Sequence, residues 1–296
     1  MSAALWAINM GRSVALVEKA ETLGGLQRNN FHPNIWLPGF VGEIGHRIAN
    51  KFSDETSNLK NLSIYAQSEV NKITRSGETF LLDLFDHKNQ STLLMQSRYL
   101  VLATGTRASA PDHIRKLAEQ NDRIIIGPEG DKIIQGICNS NVLILGGGDN
   151  AVEHALFLLD KNNAISIVAR SFNRARKDML RNLHTNPAVK KYLSPTFELR
   201  NIQGKIQLVI PNSGVCELFD YCLLMYGFVP NAEVLTKFTG AEPPELDSDG
   251  FIKVDAKQRT SVHHVYAVGD ITNSQHPCVA TAVAQGIVAA RDLVYS

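Results

Sequence analysis

The segment NVLILGGGDNAVEHALFL, residues 141–158, constrains the chain more than any other. An apolar run meets glycines and then a helix-period stretch, so a strand, a tight turn and a helix are expected in that order. Gly146, Gly148 and Ala151 match G-x-G-x-x-A. In that arrangement Gly146 permits the turn, Gly148 lets the backbone approach a pyrophosphate, and Ala151 lets helix lie on strand. Asp149, Asn150 and Ala151 then open the helix, whose free N–H groups and partial positive charge suit phosphate. Glycine turns also serve structure alone, but the flanking strand and helix favour a nucleotide here.

The following strand, AISIVAR, ends unlike a usual NAD site. Where an acidic residue would hold the ribose 2′-hydroxyl stands Arg170, with Arg174 and Arg176 after it. Guanidinium groups suit a 2′-phosphate, so the motif favours NADP(H) over NAD(H). Arg176 alone reads as a solvated residue opening a helix.

Further short apolar runs recur before glycines: VALVEK, YLVLATG, YCLLMYG and HVYAVGD. Runs this continuous suit strands buried on both faces of a parallel sheet, and the helix-period segments between them suit βαβ units, so the fold class is α/β. The polar, alternating tract Leu62 to Leu94 reads as an antiparallel meander, and Phe197 to Phe219 as a second one. At 296 residues the chain has room for two domains, each with its own β insert. Thirty basic against 29 acidic residues leave a net charge of +1, which points away from nucleic-acid or membrane-surface partners. No apolar stretch approaches a membrane span. The opening MSAALWAINMGR has no basic residue before its apolar part and is read as part of the fold. Four scattered cysteines, with no CxxC or metal-ligand spacing, argue for a reducing, cytoplasmic setting and against structural zinc. Cys216 and Cys222 read as buried core thiols, and Cys278 as a small residue tolerated before a helix.

Glu18 ends the run VALVEK, where a carboxylate can accept both hydroxyls of an adenosine ribose. In the second half the strand-end Arg170 follows Gly146 by 24 positions. The same spacing counted back from Glu18 puts a matching first glycine about six residues before Met1. The expectation is therefore that the chain begins just after a strand and phosphate-binding turn, and that it is a truncated form of an active parent.

ALWAINMGRSVALVEKAETLGGL, YLVLATGTR, LILGGGDNAVEHAL, LLMYGFVPN and VYAVGDITN, in this order, resemble the thioredoxin reductase-like branch of the FAD/NAD(P)-dependent pyridine nucleotide-disulfide oxidoreductases. The resemblance implies two Rossmann-type domains, the NADP domain inserted into the FAD domain, in a homodimer. Residues 1–109 and 229–296 would form the FAD domain and 110–228 the NAD(P) domain. By the same resemblance Glu18 would bind the FAD ribose, and Gly24, Gly25 and Gln27 would lie beside the flavin. Ala103, Thr104 and Gly105 would sit near FAD where the chain leaves that domain. Gly269 and Asp270 would face its ribitol or pyrophosphate, and Thr281 and Ala282 would open the last helix under the flavin pyrimidine. A helix N-terminus there would stabilise charge developing on the reduced ring.

The chain departs from thioredoxin reductases in carrying only Cys138 where they have a CxxC, so an internal dithiol relay is not expected. The implied activity is FAD-dependent oxidation of NADPH, with electrons passing to a small redox protein or small-molecule acceptor. Ferredoxin–NADP reductase-like enzymes share this architecture without CxxC. The competing reading is a noncatalytic NADP(H)-binding remnant that has lost FAD.

Overall fold

The computed structural model describes residues 1–127, 131–274 and 276–296, with the side chains of 131–133 left aside. The chain divides into two compact units, one of Met1–Arg107 with Pro230–Ser296 and one of Ala108–Val229.

The first piece of the discontinuous unit runs α1 (Ser2–Asn9), β1 (Val14–Val17), α2 (Gly45–Ser57), β2 (Leu62–Tyr65), β3 (Ser68–Ser76), β4 (Thr79–Asp86), β5 (Ser91–Ser97) and β6 (Leu100–Leu102). After β7 (Thr106–Ala108), the inserted unit runs α3 (Asp112–Gln120), β8 (Ile124–Ile126), α4 (Asp131–Gly136), β9 (Asn141–Leu145), α5 (Asp149–Leu159), β10 (Ala164–Ala169), α6 (Lys177–Thr185), β11 (Val189–Leu193), β12 (Glu198–Ile202), β13 (Lys205–Ile210), β14 (Val215–Phe219) and β15 (Tyr221–Leu224). The chain then continues through β16 (Phe228–Pro230), β17 (Phe238–Thr239), β18 (Val265–Ala267) and α7 (Val279–Tyr295).

In the inserted unit a five-stranded parallel sheet has the order β11-β10-β9-β15-β8. The motif strand β9 lies at its centre, and Val142 to Leu145 are wholly buried, which is why its sequence is apolar without alternation. Ala151, Val152, Ala155 and Leu158 form the buried side of α5. The meander β12-β13-β14 packs Ile206, Leu208 and Phe219 into a core shared with Leu143, Leu145 and Leu224. The strand order reverses at β9, so the carboxyl ends of β9, β10 and β15 meet at the crevice where open α/β sheets take ligands.

In the discontinuous unit the parallel layer is in two pieces. β1 pairs in parallel with β2, β6 pairs in parallel with β18, and among the described residues neither β1 nor β6 has a second partner. Val17 and Tyr65 of the first pair pack on the same core as Leu100, Leu102 and Val265 of the second, together with Ile73, Phe80 and Leu84 of the meander. Opposite that core, Ala289 and Leu293 of α7 pack on Val101 and Tyr266. α1 packs against α7 and β1, with Ser2 Oγ donating to the Val283 carbonyl at 2.8 Å. Gly286 permits this approach, since a Cβ there would stand 2.9 Å from the Ala3 nitrogen.

The structure corrects three expectations here. The apolar run VALV is not buried on both faces: Ala15 is exposed and Val14, Leu16 and Val17 are half-buried, because no strand covers the second edge of β1. The tract from Leu62 is not all meander. Leu62–Tyr65 is a strand of the parallel layer, and the antiparallel β3-β4-β5 runs from Ser68 to Ser97. Cys216 is exposed rather than in a core, because it lies on the outward side of β14 between half-buried Val215 and Glu217. Cys222, in the sheet, is buried as expected. No helix among the described residues is long and apolar enough to cross a membrane.

Candidate functional site

In the inserted unit the three glycines after β9 do different work. Gly146 has φ +140°, and a Cβ there would stand 2.3 Å from the Met225 carbonyl oxygen and 3.3 Å from the Ala151 methyl. This is the close turn and helix packing expected of Gly146 and Ala151. Gly147, outside the G-x-G-x-x-A pattern, is tighter still, with a Cβ position 2.0 Å from the Ser171 carbonyl oxygen. Gly148 caps the N-terminus of α5 with φ −95°, which any residue can adopt, and nothing lies within 4 Å of its Cβ position. Neither backbone strain nor internal packing demands glycine at 148. The open space there leaves the backbone at the α5 N-terminus accessible.

Arg174 pairs as an isolated parallel bridge with Gly148, which brings the segment after β10 beside the turn. Arg170 follows the last residue of β10. Both are exposed, and among the described residues no carboxylate forms an ion pair with either. Arg176, in contrast, is held by Asp178, with the guanidinium NH2 2.5 Å from Oδ2, in keeping with its reading as a solvated residue. Asp149 turns its Oδ1 to the Arg176 amide at 2.7 Å, so it orders the arginine loop, while the Asn150 carbonyl meets the His154 ring at 2.6 Å. Tyr226 is pushed up to about 12, mostly by burial, with the nearby charge of Arg170 opposing.

In the discontinuous unit Glu18 stands one residue past β1, and its Oε1 accepts the Ala20 N–H at 2.8 Å. Gly24 and Gly25, at φ +126° and +53°, lead into a short 3-10 turn, Gly25–Asn29, that carries Gln27. Gln27 lies against the start of α2, where a Cβ on Gly45 would stand 2.8 Å from its Nε2. Ala103, Thr104 and Gly105 follow β6, and Thr104 is clamped by Asn231 through hydrogen bonds of 2.9 Å each way.

Gly269 and Asp270 lie in a 3-10 turn after β18. The Gly269 N–H donates to Gln285 Oε1 at 2.6 Å, and Gln285 Nε2 donates to Thr272 Oγ1 at 3.1 Å, so α7 fixes the turn. Sequence reading missed Gln285, whose role comes from a contact 16 residues away. Ala282 packs beneath Gly269, with 3.6 Å between its methyl and the Gly269 Cβ position. The last helix begins before Thr281 and Ala282: Cys278 is its N-cap, accepting the Thr281 N–H at 3.5 Å, so Cys278 has a capping role beyond being tolerated.

The Asp270 carboxyl is raised above its ordinary range by burial and has no hydrogen-bond or ion-pair partner among the described residues. An unpartnered, half-buried carboxylate is costly unless a ligand supplies donors, and ribitol hydroxyls would do so. The native state therefore holds the proton to higher pH than the unfolded chain, and stability falls as pH rises through this interval. Asp270→Asn is expected to raise the Tm of the cofactor-free protein near neutral pH and to leave it unchanged in acid below the usual carboxylate range. Thermal melts at the two pH values check this; a lower Tm for the variant at neutral pH contradicts it.

A family model described as "Pyridine nucleotide-disulphide oxidoreductase" matches residues 1–286. The chain belongs to that family. Membership makes it an oxidoreductase and, at the level of the family, one dependent on FAD and a pyridine nucleotide. The ferredoxin–NADP reductase of Malacoplasma penetrans (strain HF-2) is 25% identical over 280 residues, covering 87% of this chain and 80% of its own. The thioredoxin reductase of Ureaplasma parvum serovar 3 is 24% identical over 299 residues, covering 98% and 91%. The crystal structure of T. acidophilum thioredoxin reductase superposes with a TM-score of 0.82 at 23% identity, covering 99% of this chain and 93% of that one. That likeness establishes the two-domain Rossmann-like α/β fold.

Proposed function

We propose that this protein takes hydride from NADPH onto FAD and passes the electrons to an external acceptor without an internal dithiol relay. The carrying observation is the α5 N-terminus, where Gly148 is open and Arg170 and Arg174 have no carboxylate partner among the described residues. Arg170 and Arg174 hold the 2′-phosphate, and Gly146 to Ala151 hold the pyrophosphate. Residues 108–229 are thereby the NADP unit, and residues 1–107 with 230–296 the FAD unit. FAD, when bound, supplies the hydride acceptor chemistry. Glu18 accepts the adenosine ribose hydroxyls, Asp270 the ribitol hydroxyls, and the α7 N-terminus at Thr281 and Ala282 faces the flavin pyrimidine. Gly24, Gly25, Gln27 and Ala103 to Gly105 line the same cofactor.

The cysteines support an external acceptor. All four are free: Cys138 is exposed in the loop between α4 and β9, Cys216 is exposed on β14, Cys222 is buried with its thiol pushed far up by desolvation, and Cys278 caps α7. A relay needs an attacking thiolate and a resolving thiol beside it. The acceptor is a small redox protein, with ferredoxin one candidate, or a small molecule; the working form is a cytoplasmic homodimer.

The test is NADPH-dependent reduction of an artificial dye by the flavin-loaded protein. Replacing Cys138, Cys216 and Cys222 with Ala and the α7 cap Cys278 with Ser, which keeps a capping acceptor, is expected to leave the rate unchanged. Arg170→Ala with Arg174→Ala is expected to raise KM for NADPH by about 100-fold or more while leaving NADH nearly unchanged, since each charge-assisted hydrogen bond contributes about 1.5–3 kcal/mol. Loss of activity in the cysteine-free protein, or equal loss of both coenzymes in the arginine variant, contradicts the proposal. The reading as a noncatalytic NADP(H)-binding remnant is favoured by the unpaired second edges of β1 and β6. It requires a protein that binds NADPH yet stays colourless in excess FAD.

A further inference from the structure

The β3–β4 hairpin turns at Gly77 and presents Glu78 at its tip. Against this tip lies the loop that leads into β18, and it carries two successive histidines. Glu78 Oε2 is 4.0 Å from His263 Nε2 and 3.7 Å from His264 Nδ1. The two imidazoles are stacked, with centroids 3.8 Å apart and planes at 30°. One nitrogen from each ring and one carboxylate oxygen thus converge, all within 4.8 Å of one another.

The local backbone is arranged for this convergence. His264 has φ +66°, a left-handed conformation uncommon for a residue with a side chain. The loop is held in it by Val265 N–H donating to the Val262 carbonyl, Thr260 Oγ1 donating to the Val265 carbonyl and Leu100 N–H donating to the His264 carbonyl. The Tyr99 ring packs 4.6 Å from the imidazole. The resulting Nδ1 of His264 is sealed from solvent, and among the described residues no side chain lies within hydrogen-bond distance of it; the ring's hydrogen-bonding neighbour is the Glu78 backbone. A solvent-sealed imidazole nitrogen that faces a carboxylate and a second imidazole is under-satisfied, and a bound cation would satisfy it.

We propose that Glu78, His263 and His264 form a binding site for a divalent first-row transition ion of the zinc class. Two ligands on a tetrahedral ion stand about 3.3 Å apart. The 3.7 and 4.0 Å gaps to Glu78 close with small side-chain shifts, while the two stacked imidazoles must rotate out of their stack to aim both nitrogens at one ion. Imidazole nitrogens with one carboxylate suit Zn²⁺, Co²⁺ or Ni²⁺, whereas Mg²⁺ and Ca²⁺ take oxygen ligands. A cavity of about 340 Å³ lined by His263, His264, Tyr266 and Ser296 adjoins the site and leaves room for water at the remaining positions. Arg75, a cation whose charge reaches His264, is already engaged by the Gly77 carbonyl and the face of Phe80. The ion would tie the hairpin tip to the strand that precedes Gly269 and Asp270, two segments 185 positions apart at Glu78 and His263.

The test uses the full 296-residue protein, stripped of metal with a chelator and titrated with Co²⁺ and Zn²⁺. Wild type is expected to take up one equivalent of Co²⁺ with visible ligand-field absorption, to release it to Zn²⁺, and to gain Tm with Zn²⁺ but not Mg²⁺. His263→Ala and Glu78→Gln, both at exposed positions, are each expected to weaken Co²⁺ binding by more than about 100-fold, beyond the range for loss of an outer-shell partner. His264→Asn keeps a residue type that tolerates the left-handed conformation and should match wild type in metal-free Tm while binding at least about tenfold more weakly. His87→Ala, on the same meander but outside the cluster, should bind as wild type does. Equal Co²⁺ affinity in wild type and the cluster variants, no stoichiometric uptake by wild type, or an equal Tm gain with Mg²⁺ would each overturn the assignment.

Discussion

Joining an apolar strand of about five residues and a G-x-G-x-x-G turn to the amino-terminal side of Ser2 is expected to raise FAD affinity by about 100-fold or more over the 296-residue chain. The Val14 and Glu18 N–H groups donate to the carbonyls of Asn61 and Tyr65. Alternation along β1 therefore turns the backbone groups of Ala15 and Val17 to the strand's other edge. Leu100 and Leu102 bond to residues beside β18 in the same way, which turns Val101 outward from that pair. These groups have no ladder partner, and a parallel strand between the two pairs supplies one while covering Ala15. Its glycine turn then brings backbone donors to the α1 N-terminus. Two such bonds to a charged pyrophosphate contribute about 3–6 kcal/mol, a factor of about 100 to 10⁴ in affinity. Flavin retained per polypeptide after gel filtration, and a Kd from quenching of FAD fluorescence, measure the effect. Equal retention by the two proteins would show that the open layer is not what limits flavin binding.

What was legible in the sequence was what is local. β9, its glycine turn and α5 are consecutive, so their roles follow from apolar continuity and glycine spacing within one short segment. The position of Arg170 and Arg174 near that turn was legible for the same reason, one just past a strand and the other close behind it. Contacts made at long range were not. Gly147 is the most crowded glycine of the turn only because Ser171 passes over it. Cys216 differs from Cys222 because strand register, which pairs it with Val209, sets the side it faces. Leu62–Tyr65 reads like a meander strand, and only its parallel pairing with β1 places it in another sheet. Gln285 and the cluster of Glu78, His263 and His264 depend on tertiary approach that no spacing rule encodes.

The same glycine turn offers a separation of fold from ligand. Gly147→Ala is expected to destabilise the inserted unit by more than about 4 kcal/mol, in the range reserved for severe steric or packing damage. The added methyl would sit 2.0 Å from the Ser171 carbonyl oxygen and 2.9 Å from the Ala169 methyl, and the first of these is backbone that cannot rotate away. Gly148→Val meets no protein atom within 4 Å at its Cβ and enters a backbone conformation that β-branched residues accept, so its effect on stability should stay within about 1 kcal/mol. Yet valine fills the space that a pyrophosphate needs beside the α5 N-terminus, and NADPH affinity should fall by about 100-fold, as expected when close backbone approach is blocked and about two charge-assisted bonds are lost. Denaturant unfolding of both variants together with NADPH titrations gives four readings from one pair of adjacent residues. A Gly148→Val protein that binds NADPH like wild type would remove the α5 N-terminus as the phosphate site, because the valine side chain would occupy the space a pyrophosphate needs there.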